Sequence, residues 1–187
     1  MQQAGLVKRA ARGDQHAFAE LAEAAFPRLN GIAQLIIRDR ELARDAVQES
    51  LIRAWRDLPG LRDPDRFDAW LYRLVVHTSL NATRRRRRRP IEVEISPLEG
   101  PVVVDASVLV ADRDLLEGAL QRLAPDWRAV VVLHFYVGLS LPETAATLGV
   151  PLGTVKSRLH RSLAVMRAGL SVDEGARSAP IPGGQVP

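Results

Sequence analysis

The chain has no cysteine among its 187 residues. That excludes a disulfide framework, thiolate zinc sites and a cysteine nucleophile. Lysine is nearly absent too, since Lys8 and Lys156 are the only two. Arginine therefore carries almost all of the positive charge. No apolar run approaches the roughly 20 residues that a membrane helix needs. Residues 1–12 lack the apolar core of a signal peptide. A cytoplasmic protein without membrane insertion is expected. The four histidines, His16, His77, His134 and His160, have no metal-ligand spacing to one another or to paired acids. No glycine loop suited to cradling phosphate is present, and Asp63 and Asp65 read as turn residues rather than a catalytic pair. No catalytic residue, metal or cofactor is therefore expected.

What is present is a helical, basic chain. Apolar residues make up 47%, enough to support a packed core. Charge is divided unevenly. Residues 1–90 hold 18 basic and 11 acidic groups, whereas residues 91–111 hold Glu92, Glu94, Glu99 and Asp105 with no base. Pro90, Pro97, Gly100 and Pro101 fall in or beside that acidic stretch and argue against a long helix there. The fold class expected is all-α: two small helical domains, 5–89 and 112–170, joined by a flexible acidic linker over 90–111. Residues 171–187, ending Ala-Pro-Ile-Pro-Gly-Gly-Gln-Val-Pro, are expected to be a disordered tail.

In the first domain, Asp14 is placed to cap a helix beginning near Gln15, which Pro27 should kink or break. A second helix is predicted from Glu41 to Leu58, closed by Pro59-Gly60. A long helix follows from about Asp65 into Arg84–Arg89, six consecutive arginines. Phe67, Trp70, Leu71, Leu74 and Thr78 lie on its inner side. Such a run of cations suits phosphate contact or a solvated helix end, and a helix C-terminus favours it by about 0.3–1 kcal/mol. Trp70 and Tyr72 either stack on an unpaired base or pack in the core.

The second domain gives helices near 112–123, 125–136, 141–148 and 152–169. Its last two carry the clearest signal. Ser140 and Glu143 have capping-box spacing, Ala145 and Ala146 allow close crossing, and Gly149 suits a left-handed turn. On the helix that follows, Val155, Leu159, Leu163 and Met166 share one face. Lys156, Ser157, His160 and Arg161 project from the other, with Arg158 nearer the boundary. No acid occurs from Thr154 to Arg167. This is the pattern of a helix-turn-helix whose second helix enters the major groove. Arg161 and Lys156 have the chemistry to read guanine edges.

The segment Leu148-Gly149-Val150-Pro151-Leu152-Gly153-Thr154-Val155-Lys156-Ser157-Arg158-Leu159-His160-Arg161 strongly resembles the fourth conserved region of extracytoplasmic-function sigma factors, within the sigma-70-type family. Asp45-Ala46-Val47-Gln48-Glu49-Ser50-Leu51-Ile52-Arg53-Ala54-Trp55 looks like the core-polymerase-binding helix of sigma region two. Phe67-Asp68-Ala69-Trp70-Leu71-Tyr72-Arg73-Leu74 resembles the start of the helix that reads the minus-ten element. Asn81 matches the family there, whereas His77 stands where asparagine is common.

The resemblance implies several partners and site residues. RNA polymerase core, at its beta-prime clamp helices, would be met by Asp45, Gln48, Glu49 and Arg53. The minus-thirty-five element of promoter DNA would be met by Thr154, Lys156, Ser157, Arg158, His160 and Arg161. The minus-ten element would be met by Arg62, Trp70, Arg73, His77, Asn81, Arg84 and Arg85, and the loop 58–66 would capture a flipped base. An anti-sigma factor is a further expected partner. The acidic linker either threads a basic nucleic-acid channel of polymerase or acts as a solvated tether. A conventional helix-turn-helix regulator would explain the C-terminal domain equally well. It would leave the Asp45–Trp55 segment and the arginine run without a role.

Overall fold

The structure is a computed structural model that describes residues 2–88 and 117–177, with side chains described for 3–88 and 117–170. The expected linker over 90–111 and the tail beyond Arg177 lie outside the described residues. Every regular element among the described residues is helical. The order is α1 Gln2–Ala10, α2 Gln15–Ile37, α3 Arg40–Asp57, two single 3-10 turns at Leu58–Gly60 and Pro64–Arg66, and α4 Phe67–Arg88. Residues 117–121 are helical and precede α5 Pro125–Val131, a π-helical segment Val132–Tyr136, α6 Leu141–Leu148 and α7 Leu152–Arg177.

Helix starts follow from side-chain oxygens placed to accept the first free N–H groups. Asp14 accepts from Ala17 N, and Asp39 accepts from Leu42 N at 3.0 Å. Ser140 and Glu143 close a full capping box, and these bonds hold the Glu143 carboxyl below its ordinary pKa. Of the kink or break expected at Pro27, the break is absent, since α2 runs continuously from Gln15 to Ile37 with the proline inside it. Burial of Leu21, Leu29, Ile32 and Ile36 along that one helix holds both halves against the same core. Two boundaries also move. The helix expected over 125–136 becomes π-helical after Val131, and α7 continues past residue 170 to Arg177.

α1 to α4 pack on one another around Leu29, Ile32, Ile36, Val47, Leu58, Phe67, Leu71, Val75 and Val76. The C-terminal unit packs around Leu120, Leu123, Ala129 to Leu133, Leu148, Val155 and Met166. These two sets form one continuous apolar cluster. The units touch along a seam where α5 and the π segment meet α2, and α6 meets α4. Arg128 spans that seam. Its guanidinium donates to Leu120 O at 3.0 Å and Leu123 O at 2.8 Å in its own unit, and to Ile36 O at 2.7 Å in the other. Ile36 O is one of the carbonyls that the end of α2 leaves without a helical partner. Only 7% of Arg128 is exposed. Burial, then repulsion from Arg38 and Arg87, pushes its pKa down to about 10, so it stays charged at neutral pH.

Replacing Arg128 with alanine takes a donor from three buried carbonyls and leaves Ile36 O and Leu123 O without that partner, while Leu120 O keeps its bond from Leu123 N. The expected loss is about 3 kcal/mol of unfolding free energy, read from denaturant midpoints. Ser140→Ala removes the cap of α6 and is expected to cost about 1 kcal/mol by the same measurement.

Candidate nucleic-acid interface

α6 and α7 form a helix-turn-helix. The turn is made by Gly149 at φ 67°, ψ 34°, a left-handed conformation in which its N–H reaches Ala145 O. A Cβ is disfavoured there. Val150 N also bonds Ala145 O, at 3.2 Å, and Pro151 O accepts from Thr154 N and Val155 N as α7 begins. Ala145 is buried, as expected for a close crossing, but Ala146 is exposed, so one alanine rather than a pair makes the contact.

Val155 and Met166 point α7 into the core, with Leu159 and Leu163 half-buried beside them. Ser162 is fully buried, which the apolar pattern hid. Its hydroxyl donates to Arg158 O at 2.8 Å, so the helix satisfies it internally. Lys156, Ser157, His160 and Arg161 are all exposed, and Thr154 and Arg158 are half-buried at the edge of the same face. The outcome is a basic, acid-free surface on the first turns of α7, held rigidly by the helix beneath it.

On α4, Arg73, His77, Asn81, Arg84 and Arg85 recur at helical spacing and make one stripe. Arg73, Asn81, Arg84 and Arg85 are exposed. His77 is half-buried, with its Nε2 3.1 Å from Thr147 O of α6. Arg84 pairs with Asp126 of α5 at 3.0 Å. Arg86 pairs with Asp39 at 2.8 Å, tying the arginine run to the start of α3. Trp70 lies half-buried against the core, its ring 6.0 Å from that of Phe67. Tyr72 is buried, with the Arg28 guanidinium 5.3 Å from its ring centre, and has no free face for a base. Burial raises its phenol pKa first of all.

The loop before α4 is ordered by its own side chains. Leu58 is buried, Asp63 accepts from Asp65 N at 3.1 Å, and Arg66 pairs with Asp63 at 3.2 Å. Asp63 is thus a cap. Arg62 stands exposed at the loop's centre.

α3 presents a second surface. Asp45 and Gln48 are exposed, while Glu49 and Arg53 are partly exposed and paired with each other. Such a pair contributes about 0.3–0.5 kcal/mol on a helix. Ile52 lies among them, and 69% of it is exposed. An isoleucine open to water in the middle of a polar helix face is the residue that sequence reading missed. The signal was its spacing of seven from Asp45 and three from Glu49, which places all three on one side.

Fold and surfaces together define a two-unit, helix-turn-helix protein of the DNA-binding class. The Sigma-70 region 2 family matches residues 21–89, and the Sigma-70 region 4 family matches residues 113–166. The chain belongs to the extracytoplasmic-function subfamily of sigma-70-type RNA polymerase sigma factors. It is 37% identical over 169 residues to an RNA polymerase sigma-E factor of Streptomyces avermitilis, covering 90% of this chain and 93% of that relative. It is 31% identical over 177 residues to the ECF sigma factor SigW of Bacillus subtilis, covering 86% and 92%.

Among solved structures, CnrH in complex with the cytosolic domain of CnrY is similar at a TM-score of 0.67 and 28% identity. That match covers 92% of this chain and 99% of the other. The sigma factor RpoE in complex with the anti-sigma factor NepR, from Bartonella quintana, is similar at 0.65 and 26%, covering 83% and 98%. The function is that of a sigma factor, directing RNA polymerase to promoters at initiation.

Gly149→Ala strains the turn at its positive φ. It is expected to cost about 1 kcal/mol and to lower the affinity of α7 for its DNA, as seen by thermal denaturation alongside footprinting of the polymerase complex.

Proposed function

We propose that three surfaces of this chain divide the work of initiation. The first turns of α7 enter the major groove of the minus-thirty-five element, where Lys156 and Arg161 read base edges. Ser157, His160, Thr154 and Arg158 flank them toward bases or backbone. The exposed, acid-free face of α7 carries this reading. Its residues combine a rigid support, a positive field and donors of the right reach.

The stripe Arg73, His77, Asn81, Arg84 and Arg85 meets the minus-ten element, with Arg62 at the loop before it and the edge of Trp70 nearby. The arginines at the end of α4 neutralise phosphates, so promoter affinity falls steeply with salt. Base capture in the loop rests on family resemblance, because the loop offers Arg62 and aspartates but no aromatic ring.

The α3 face of Asp45, Gln48, Glu49, Ile52 and Arg53 docks on the beta-prime clamp helices of polymerase core. Ile52 supplies an apolar anchor inside a polar rim, an arrangement common at protein interfaces. Two solved relatives are held by partner proteins, one of them the anti-sigma factor NepR. We extend that control to this chain: an anti-sigma factor would keep it from core until released. Phe135, 60% exposed on the π segment, is an apolar residue such a partner would cover. The chain supplies promoter recognition and no bond-making chemistry, which it leaves to core.

Run-off transcription with purified core on genomic fragments tests the reading directly. New start-site-specific transcripts are expected, and they are lost with Lys156→Ala plus Arg161→Ala. Tight specific DNA binding without core, and no transcripts with it, would overturn the assignment in favour of an autonomous regulator. Ile52→Asp is expected to weaken core binding about tenfold or more, roughly 1.4 kcal/mol, with the helical circular dichroism unchanged. Wild-type affinity for core in that variant removes Ile52 from the interface.

A further inference from the structure

Gly153 is the second residue of α7 and is exposed on its outer face. Among the described residues, a Cβ built on it would meet nothing within 4 Å. Its φ is not in the left-handed region. Neither backbone shape nor packing therefore requires glycine here. Glycine is also the poorest helix former after proline, so its presence weakens the first turn of α7. Other glycines have reasons within the fold. Gly149 makes the left-handed turn, and Gly31 receives Tyr136, whose oxygen would lie 2.3 Å from an added Cβ. Gly5 shares the open surroundings of Gly153, but it lies on α1, outside every surface given a role above.

Direction sets Gly153 apart. Each residue of a helix turns by about 100°. Around the axis of α7, Ser157 thus lies about 40° and His160 about 20° from Gly153, with Lys156 and Arg161 flanking at about 60° and 80°. The buried Val155 lies nearly opposite. Gly153 is therefore the leading end of the basic, acid-free face, one turn before Ser157. At that end the main chain itself, rather than a side chain, is the outermost surface.

We propose, on the minus-thirty-five role given to α7 above, that Gly153 sets how deeply α7 seats in the major groove. A helix entering that groove brings its first turn beside a sugar–phosphate strand, and glycine lets the two backbones meet with no side chain between them. Lys156 and Arg161 then come within the roughly 2.7–3.2 Å that hydrogen bonds to base edges need. A methyl group at this position stands the helix off by about 1.5 Å, the length of a carbon–carbon bond. Long basic side chains and long-range charge still reach the phosphates across such a gap, whereas short bonds to bases are lost. Gly153 thus determines specificity by leaving room, and contacts no base itself.

Gly153→Ala separates seating from folding, because alanine is the better helix former and the variant should melt no lower than the parent. Holoenzyme assembled from the full chain and purified core is used to select from a library of randomised duplex DNA. The parent should enrich an upstream motif. Affinities are then measured for the enriched duplex and for the same duplex with that motif scrambled. Gly153→Ala should cut the preference between them about tenfold, the weight of one good base contact, and Gly153→Val should cut it further. Affinity for the scrambled duplex, and the slope of log affinity against log salt, should stay at the parent's values, because no charge has been removed. Lys156→Ala provides the contrast and should reduce that slope by about one.

An undiminished preference in Gly153→Ala overturns the seating role and leaves the minus-thirty-five reading of α7 standing. A lost preference accompanied by a lower melting temperature overturns it too, since the glycine would then serve the fold. So does an equal fall in affinity for both duplexes, which would place the glycine in general backbone binding. Absence of any upstream motif with the parent overturns the α7 reading itself, and the seating role with it.

Discussion

Arg128 is the interaction on which the observed arrangement depends. One guanidinium with a rigid fork of donors meets three backbone carbonyls drawn from both units. Within its own unit it joins the segment around Leu120 and Leu123 to α5, and across the seam it completes the end of α2. The charge is expensive to bury, and the carbonyls would be expensive to leave unpaired. The arrangement is stable only while all partners are present. That makes the residue both a structural pin for the C-terminal unit and a reporter of whether the two units are together.

The recognition surface is built on the opposite principle. Nothing on the outer face of α7 is buried or needed for packing. Val155, Ser162 and Met166 hold the helix from beneath, and the Ser140–Glu143 box and Gly149 hold α6 at the correct entry to it. The side chains of Lys156, His160 and Arg161 are therefore left to solvent and to a ligand. In the proposed reading, the groups that meet DNA contribute little to stability, on a support that contributes nearly all of it. α3 follows the same division, with Ala43, Ala46, Val47 and Ala54 packed inward and Asp45, Gln48 and Ile52 facing out.

Much of this was legible from local chemistry. Helix starts at Asp14 and Ser140, the turn at Gly149 and the two faces of α7 each depend on residues within a few positions of one another. Periodicity and capping rules apply directly at that range. Local rules failed where a distant partner decided the outcome. Pro27 did not break α2, because both flanking stretches bury apolar side chains against the same core. Tyr72 was a candidate for stacking until Arg28 and burial closed its face. Ile52 drew no separate notice in the sequence, and its position on the polar side of α3 left it in water.

By itself, the sequence determined an all-helical protein with a helix-turn-helix, a basic helix end and a helix with a polar outer face. These are properties of spacing, capping and charge along a continuous stretch of chain. The sequence also sufficed for the family, because its two diagnostic segments are contiguous and stand in order. Only tertiary structure decided that α6 lies on α4, that Gly31 receives Tyr136, and that Arg128 and Arg38 are brought together in the same seam. Those pairings join residues about 70 to 105 positions apart. No periodic pattern encodes such a meeting, since it depends on the shapes and leftover carbonyls that appear only after the helices have formed.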